Sequence, residues 1–144
     1  MTEVTSKTIA ELRDGFRSGD FTAREIADQY NAAVAAAKLL NAYTVETPED
    51  AIAAAEAADK ARGAGELSPL SGIPLGIKDL FATRGVDTTA GSRILKHFKP
   101  PYESTVSANL RKAGGGWASL LFLGAVALRR RRAREESALG RPCR

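Results

Sequence analysis

The chain has one cysteine, one histidine, one tryptophan and one methionine in 144 residues, and aromatic side chains make up only 6% of it. With Cys143 as the sole thiol, neither a disulfide framework nor a multi-cysteine metal site can form within one chain. His97 stands alone between Lys96 and Phe98. A lone histidine in such a setting reads as a solvated side chain, not a ligand or a base, and the basic loop 96–99 reads the same way. Long hydrophobic runs are also missing. The longest, residues 117–128, covers 12 positions, short of the roughly 20 that span a bilayer as a helix. The polar start Met1-Thr2-Glu3-Val4-Thr5-Ser6-Lys7 lacks the apolar core of a secretion signal. Cytoplasm is the expected compartment.

The formal charge of +4 is unevenly placed. Residues 1–115 hold 14 Lys/Arg against 15 Asp/Glu, whereas residues 116–144 hold 7 Arg against 2 Glu. The basic character therefore belongs to the tail and says nothing about partners of the body.

What is present falls into two textures. In residues 1–66, Ile9, Leu12 and Phe16 recur at helical spacing, Gly15 weakens that helix, and Gly19-Asp20 ends it. Thr22-Ala23-Arg24-Glu25 reads as a capping box for a second helix that lines Ile26, Tyr30, Ala33, Val34 and Ala37 on one side. Asn41-Ala42-Tyr43-Thr44-Val45 leans to strand. Thr47-Pro48-Glu49-Asp50 starts an alanine-rich helix with Thr47 as N-cap, stopped by Gly63 and Gly65. From Leu67 the texture changes. Ile73, Leu75 and Ile77 alternate with Pro74, Gly76 and Lys78, the period of a strand. Residues 88–92 form a loop of small residues, without the pattern of a phosphate-binding loop. Residues 99–103 form a turn, and Ser104 caps a helix to about Lys112 with Val106 and Leu110 inward. The order predicts an α/β layer fold that is begun and not finished. Residues 1–66 are a helical lead, residues 67–115 the start of a core, and residues 116–144 a separate apolar and Arg-rich tail, disordered or a short helix. A body with so few strands is expected to leave apolar surface exposed.

Lys78 is the residue with chemistry. From pattern alone, a lysine at a strand end is usually a solvated charge. The functional alternative needs burial, because removal from water disfavours the ammonium and lowers the lysine's pKa until it can act as a base. Ile73, Leu75, Ile77, Leu80 and Phe81 are the candidates for that dry setting.

Four pieces, in order, carry a resemblance. They are Gly72-Ile73-Pro74-Leu75-Gly76-Ile77-Lys78-Asp79, Gly85-Val86-Asp87-Thr88-Thr89-Ala90-Gly91-Ser92, Pro100-Pro101-Tyr102-Glu103-Ser104-Thr105-Val106 and Leu110-Arg111-Lys112-Ala113-Gly114. The chain resembles the amidase signature family over residues 1 to about 115, and within it the branch of A subunits of glutamine-hydrolysing tRNA-dependent amidotransferases. The resemblance implies an N-terminal piece of that mixed-sheet fold, incomplete as a domain. It implies a mechanism in which one serine attacks an amide carbonyl, a second serine in a cis peptide relays the proton, and a buried lysine accepts it, with backbone N–H groups on the oxyanion. Lys78 matches that lysine. Neither serine has a match, and Ser92 and Ser104 fall where the family does not place a nucleophile. The chain alone is therefore expected to be inactive. The same resemblance implies glutamine as substrate and, in the parent complex, subunits B and C, tRNA, ATP and Mg²⁺, with no cofactor or metal held by this chain. A stand-alone amidase is the alternative within the family.

The family continues past Gly114 with a strand and a Gly-Lys step. This chain reads Gly116-Trp117-Ala118-Ser119-Leu120-Leu121 and, after more apolar residues, Arg129-Arg130-Arg131-Arg132. Residues 116–144 contain no Ile, Lys, Asn, Asp, Thr, Tyr, Gln, His or Met, the bias of GC-rich DNA in an unselected frame. A shifted or misjoined end is the favoured reading. A sorting tail and a weak contact segment for an anionic lipid or nucleic-acid surface are the others.

Overall fold

The computed structural model describes residues 3–121 of the chain. The Arg-rich block, Cys143 and the readings attached to them lie outside the described residues.

Helix α1 (Ile9–Ser18) and helix α2 (Ala23–Ala36) each begin with a capping box, Thr8 with Glu11 and Thr22 with Glu25. In each, the threonine oxygen accepts a backbone N–H and the glutamate returns to the threonine N–H, so two orphan donors are satisfied together. Gly19 ends α1 at φ +89°, a conformation that suits a residue without Cβ. A single 3₁₀ turn, Lys38–Leu40, leads to strand β1 (Tyr43–Glu46) and then helix α3 (Pro48–Gly63). Thr47 precedes α3 but makes no side-chain cap; Pro48 and the acids Glu49 and Asp50 supply the start. Strand β2 (Pro74–Lys78), helix α4 (Thr105–Lys112) and strand β3 (Gly116–Leu121) complete the described order.

The sheet order is β1-β3-β2, with β1 antiparallel and β2 parallel to β3. The parallel pair requires a long connection, and residues 79–115 with α4 provide it. The sheet is mixed and the fold is α/β. One sequence expectation changes here: residues 116–121 are neither a helix nor apart from the body. They form the middle strand, pairing through backbone groups that any side-chain sequence supplies.

Helices α1, α2 and α3 pack their apolar faces around Phe16, Phe21, Ile26, Ala55 and Ile73. Ile9, expected on the inner face of α1, is 57% exposed because the core closes over Leu12 and Phe16. Ala33 on α2 and Val106 on α4 are likewise exposed. Gly15 is not merely a weak point in α1, since a Cβ there would collide with the ring of Phe21. Across the helices, Asp59 of α3 accepts from the N–H groups of Ala23 and Arg24 at 2.9 and 3.1 Å, adding a carboxylate at the positive end of α2. A second, smaller cluster joins Ile77 to Val45, Leu75, Phe81, Val86 and Leu110. It ties the end of β2 to α4 and to the loop that follows the strand.

Candidate active site

The site is built around the C-terminal end of β2. Successive strand residues face opposite sides. Ile77 is buried, and its neighbour Lys78 is exposed. The same alternation puts Gly76, exposed and without a side chain, on the lysine side of the strand. The dry setting expected from Ile73, Leu75, Ile77, Leu80 and Phe81 therefore does not form around Lys78 among the described residues. Ile73 and Ile77 are buried in the two clusters, and Leu80 is 50% exposed. The lysine stands on an open face.

The strand end is held firmly. The carbonyl of Lys78 accepts from the N–H of Phe81 at 2.9 Å. Asp79, the next residue, is 1% exposed. One of its carboxylate oxygens accepts the N–H of Thr89 at 2.7 Å, and the other accepts the Thr89 hydroxyl at 2.6 Å, with the N–H of Gly91 at 3.4 Å. The Asp79 carbonyl accepts from Ala90 N–H at 3.1 Å. Three consecutive residues of the loop thus wrap one aspartate, with Ala90 at φ +47° and Gly91 at φ +70°. A buried carboxylate is tolerable only with such donors. Sequence reasoning singled out the loop for its small residues and missed why it curls. The signal was the adjacency of an acid to the strand end and a Thr-Thr-x-Gly ten residues on.

The other candidates are occupied elsewhere. The Ser92 hydroxyl accepts from Ile94 N–H at 3.2 Å. Ser104 caps α4, its hydroxyl accepting from Ser107 N–H at 3.2 Å and lying 2.7 Å from the Ser107 hydroxyl. His97 is exposed, with Nδ1 3.5 Å from Asp87 Oδ2, and Lys99 Nζ lies 4.0 Å from Asp87 Oδ1. The basic loop 96–99 thus leans on Asp87, whose Oδ1 is buried without a hydrogen bond among the described residues. No three His, Cys, Asp or Glu gather as a metal set among the described residues. Among the same residues, no helix is long and apolar enough to cross a membrane.

The site thus consists of a lysine at the end of a strand of a mixed sheet, with an aspartate-wrapped loop beside it. Residues 25–117 match the family model described as Amidase, and the chain belongs to the amidase signature family. It is 61% identical over 128 residues to the A subunit of the glutamyl-tRNA(Gln) amidotransferase of Rhizorhabdus wittichii, and 58% identical over 128 residues to that of Sphingopyxis alaskensis. Each match covers 89% of this chain and 26% of the relative, so the chain spans about a quarter of the length of these relatives. Among solved structures it is similar to the native peptide amidase of Stenotrophomonas maltophilia, with TM-score 0.75 and 29% identity over 81% of this chain and 25% of that one. It is also similar to a chain from a vestigial complex related to an s-triazine catabolic enzyme, with TM-score 0.77 and 35% identity over 82% and 26% of the two chains.

Proposed function

We propose that this chain is the lysine-bearing N-terminal part of the A subunit of a glutamine-hydrolysing, tRNA-dependent amidotransferase, with Lys78 as the proton acceptor. The observation that carries the reading is the position of Lys78 within a segment that matches the family: it ends a parallel strand of the same fold, followed directly by the anchored Asp79. The 61% identity to one such amidotransferase chain favours this reading over a stand-alone amidase.

In the proposed chemistry, a serine oxygen adds to the glutamine amide carbonyl as its proton passes through a second serine to the lysine amine; the tetrahedral adduct then collapses with C–N cleavage, the same proton leaves with ammonia, and water hydrolyses the resulting ester. Lys78 can accept that proton only when it is neutral, so further polypeptide must cover its open face. The serines have no counterpart in this chain, and the chain alone is proposed to be inactive. Subunits B and C and mischarged tRNA are the proposed partners of the complete assembly, with ATP and Mg²⁺ used in the overall reaction. Among the described residues, the acidic side chains do not gather into a set that fits a magnesium ion.

The test is a chimera. Residues 1–115 replace the matching segment of the Rhizorhabdus relative, the hybrid is assembled with its B and C partners, and ammonia release from glutamine is measured. Hydrolysis that falls by at least about 10²-fold on Lys78→Ala is expected for loss of a general base. An active chimera indifferent to Lys78→Ala would refute the role, and glutamine turnover by the isolated chain, lost on Lys78→Ala, would refute its inactivity.

A further inference from the structure

We infer that Asp79 and Thr89 form a clamp that keeps the Asp79 carboxylate away from the adjacent Lys78 amine, leaving that amine unpaired for proton transfer. The inference rests on the proposed role of Lys78 and adds two positioning residues to it.

A lysine followed by an aspartate is compromised as a base where the two side chains can meet, and Asp79 lies one residue past the end of β2, where strand alternation no longer separates them. A carboxylate within about 4–6 Å favours the ammonium form and raises the lysine's pKa. Neighbouring side chains of opposite sign do close on each other in this chain: Arg13 Nε lies 2.7 Å from Asp14 Oδ1. At 78–79 the opposite arrangement holds. Lys78 is exposed and makes no ion pair among the described residues, while Asp79 is buried with both oxygens occupied by loop donors. The 2.6 Å hydroxyl bond matters most, because without it the oxygen it serves keeps only the 3.4 Å contact to Gly91 N–H. A buried carboxylate oxygen left so poorly served turns toward solvent or a cation, and the next cation in the chain is Lys78.

The next two acids along the chain are held by other partners. Strand β3, alongside Lys78, carries no ionisable residue in Gly116–Leu121. Asp87 faces His97 and Lys99, and Glu103 serves Arg84 N–H and Arg111 Nε at 2.8 and 3.2 Å.

The test needs no catalysis. The full chain and its variants are acetylated with limiting acetic anhydride across a pH series, and modification of Lys78 is measured by mass spectrometry against the exposed Lys60 of α3. Thr89→Val keeps the shape and the carboxylate but removes the hydroxyl. It is expected to lower Lys78 modification near pH 8 by about threefold relative to Lys60, as an exposed charge pair would. Thr89→Ser restores the original profile. Asp79→Asn loosens the same loop but removes the charge, and the double variant Asp79→Asn, Thr89→Val loses the suppression. A structural role alone would move Thr89→Val and Asp79→Asn in the same direction. That result, or an unchanged Lys78 profile in Thr89→Val, overturns the inference. Failure of the glutamine assay leaves this measurement intact, so the two readings fail separately.

Discussion

The guanidinium of Arg62 lies 4.8 Å from the ring centroid of Phe16 and donates to the Phe16 carbonyl at 2.8 Å. The same nitrogen donates to the Phe21 carbonyl at 3.1 Å. One side chain of α3 therefore closes the turn between α1 and α2, satisfying a carbonyl in the last turn of α1 and one just before α2, and covering the ring at the centre of the helical core. Arg62→Ala removes charged hydrogen bonds and the cation–π contact together. It is expected to destabilise the full chain by about 2–3 kcal/mol. Arg62→Lys, with a point charge in place of a planar fork, recovers only part of the loss. Urea unfolding followed by circular dichroism measures both.

The two capping boxes predict an acid response with a definite sign. The N–H of Thr8 holds the Glu11 carboxyl below the usual carboxylate range, helped by the Thr8 hydroxyl, and Thr22 does the same for Glu25. A folded-state value below the unfolded one gives stability that is present above the ordinary glutamate pKa of about 4.3. That stability is lost as the pH falls through the lowered folded values. Glu11→Gln with Glu25→Gln is expected to flatten the pH dependence of the urea midpoint in that acid window. A double variant as acid-sensitive as the parent would contradict it.

Two glycines predict opposite outcomes. Gly114 has φ +87°, and a Cβ there would lie 2.8 Å from Ser71 Oγ and 3.0 Å from the Ser71 backbone nitrogen. Gly114→Ala is expected to cost about 1–3 kcal/mol. Gly63, the last residue of α3, has open space where its Cβ would be. Gly63→Ala is expected to stabilise by about 0.4–1 kcal/mol, mainly by restricting the unfolded chain. Thermal unfolding of the two variants side by side gives the comparison.

Lys78 itself predicts a separation of fold from chemistry. Its side chain is exposed, so Lys78→Met is expected to change stability by less than about 0.5 kcal/mol. A larger loss, measured by chemical unfolding, would mean that the lysine is a structural residue.

Local rules made much of this chain legible. Thr22 and Glu25 announced a helix start because a capping box is written in four consecutive residues, and Ser104 did so for α4. Ile73, Leu75 and Ile77 announced β2 by their alternation, and Lys78 was found by family resemblance at its end. What stayed hidden depends on partners distant in sequence. Nothing near Gly15 tells of the Phe21 ring against it, and nothing near Asp59 tells that it caps α2, more than thirty residues away. Ile9 and Val106 fit the helical period and still lie outside, because periodicity names a face without saying how far the neighbouring layer reaches. The role of Asp79 as the anchor of the loop after β2 stays hidden beside Lys78, because its donors Thr89 and Gly91 lie ten and twelve residues on. The exposure of the lysine was legible in that same alternation, which turns Leu75 and Ile77 to the other side of β2.

The position of β3 has a bearing on synthesis. In the described sheet, β1 and β2 are made early, at residues 43–46 and 74–78, and both pair with residues 116–121. While the chain is being translated, neither has that neighbour until Leu121 has left the ribosome. The nascent helices can pack from local contacts well before then. The strands must wait with unpaired backbone groups, the condition in which growing chains most often recruit chaperones or one another.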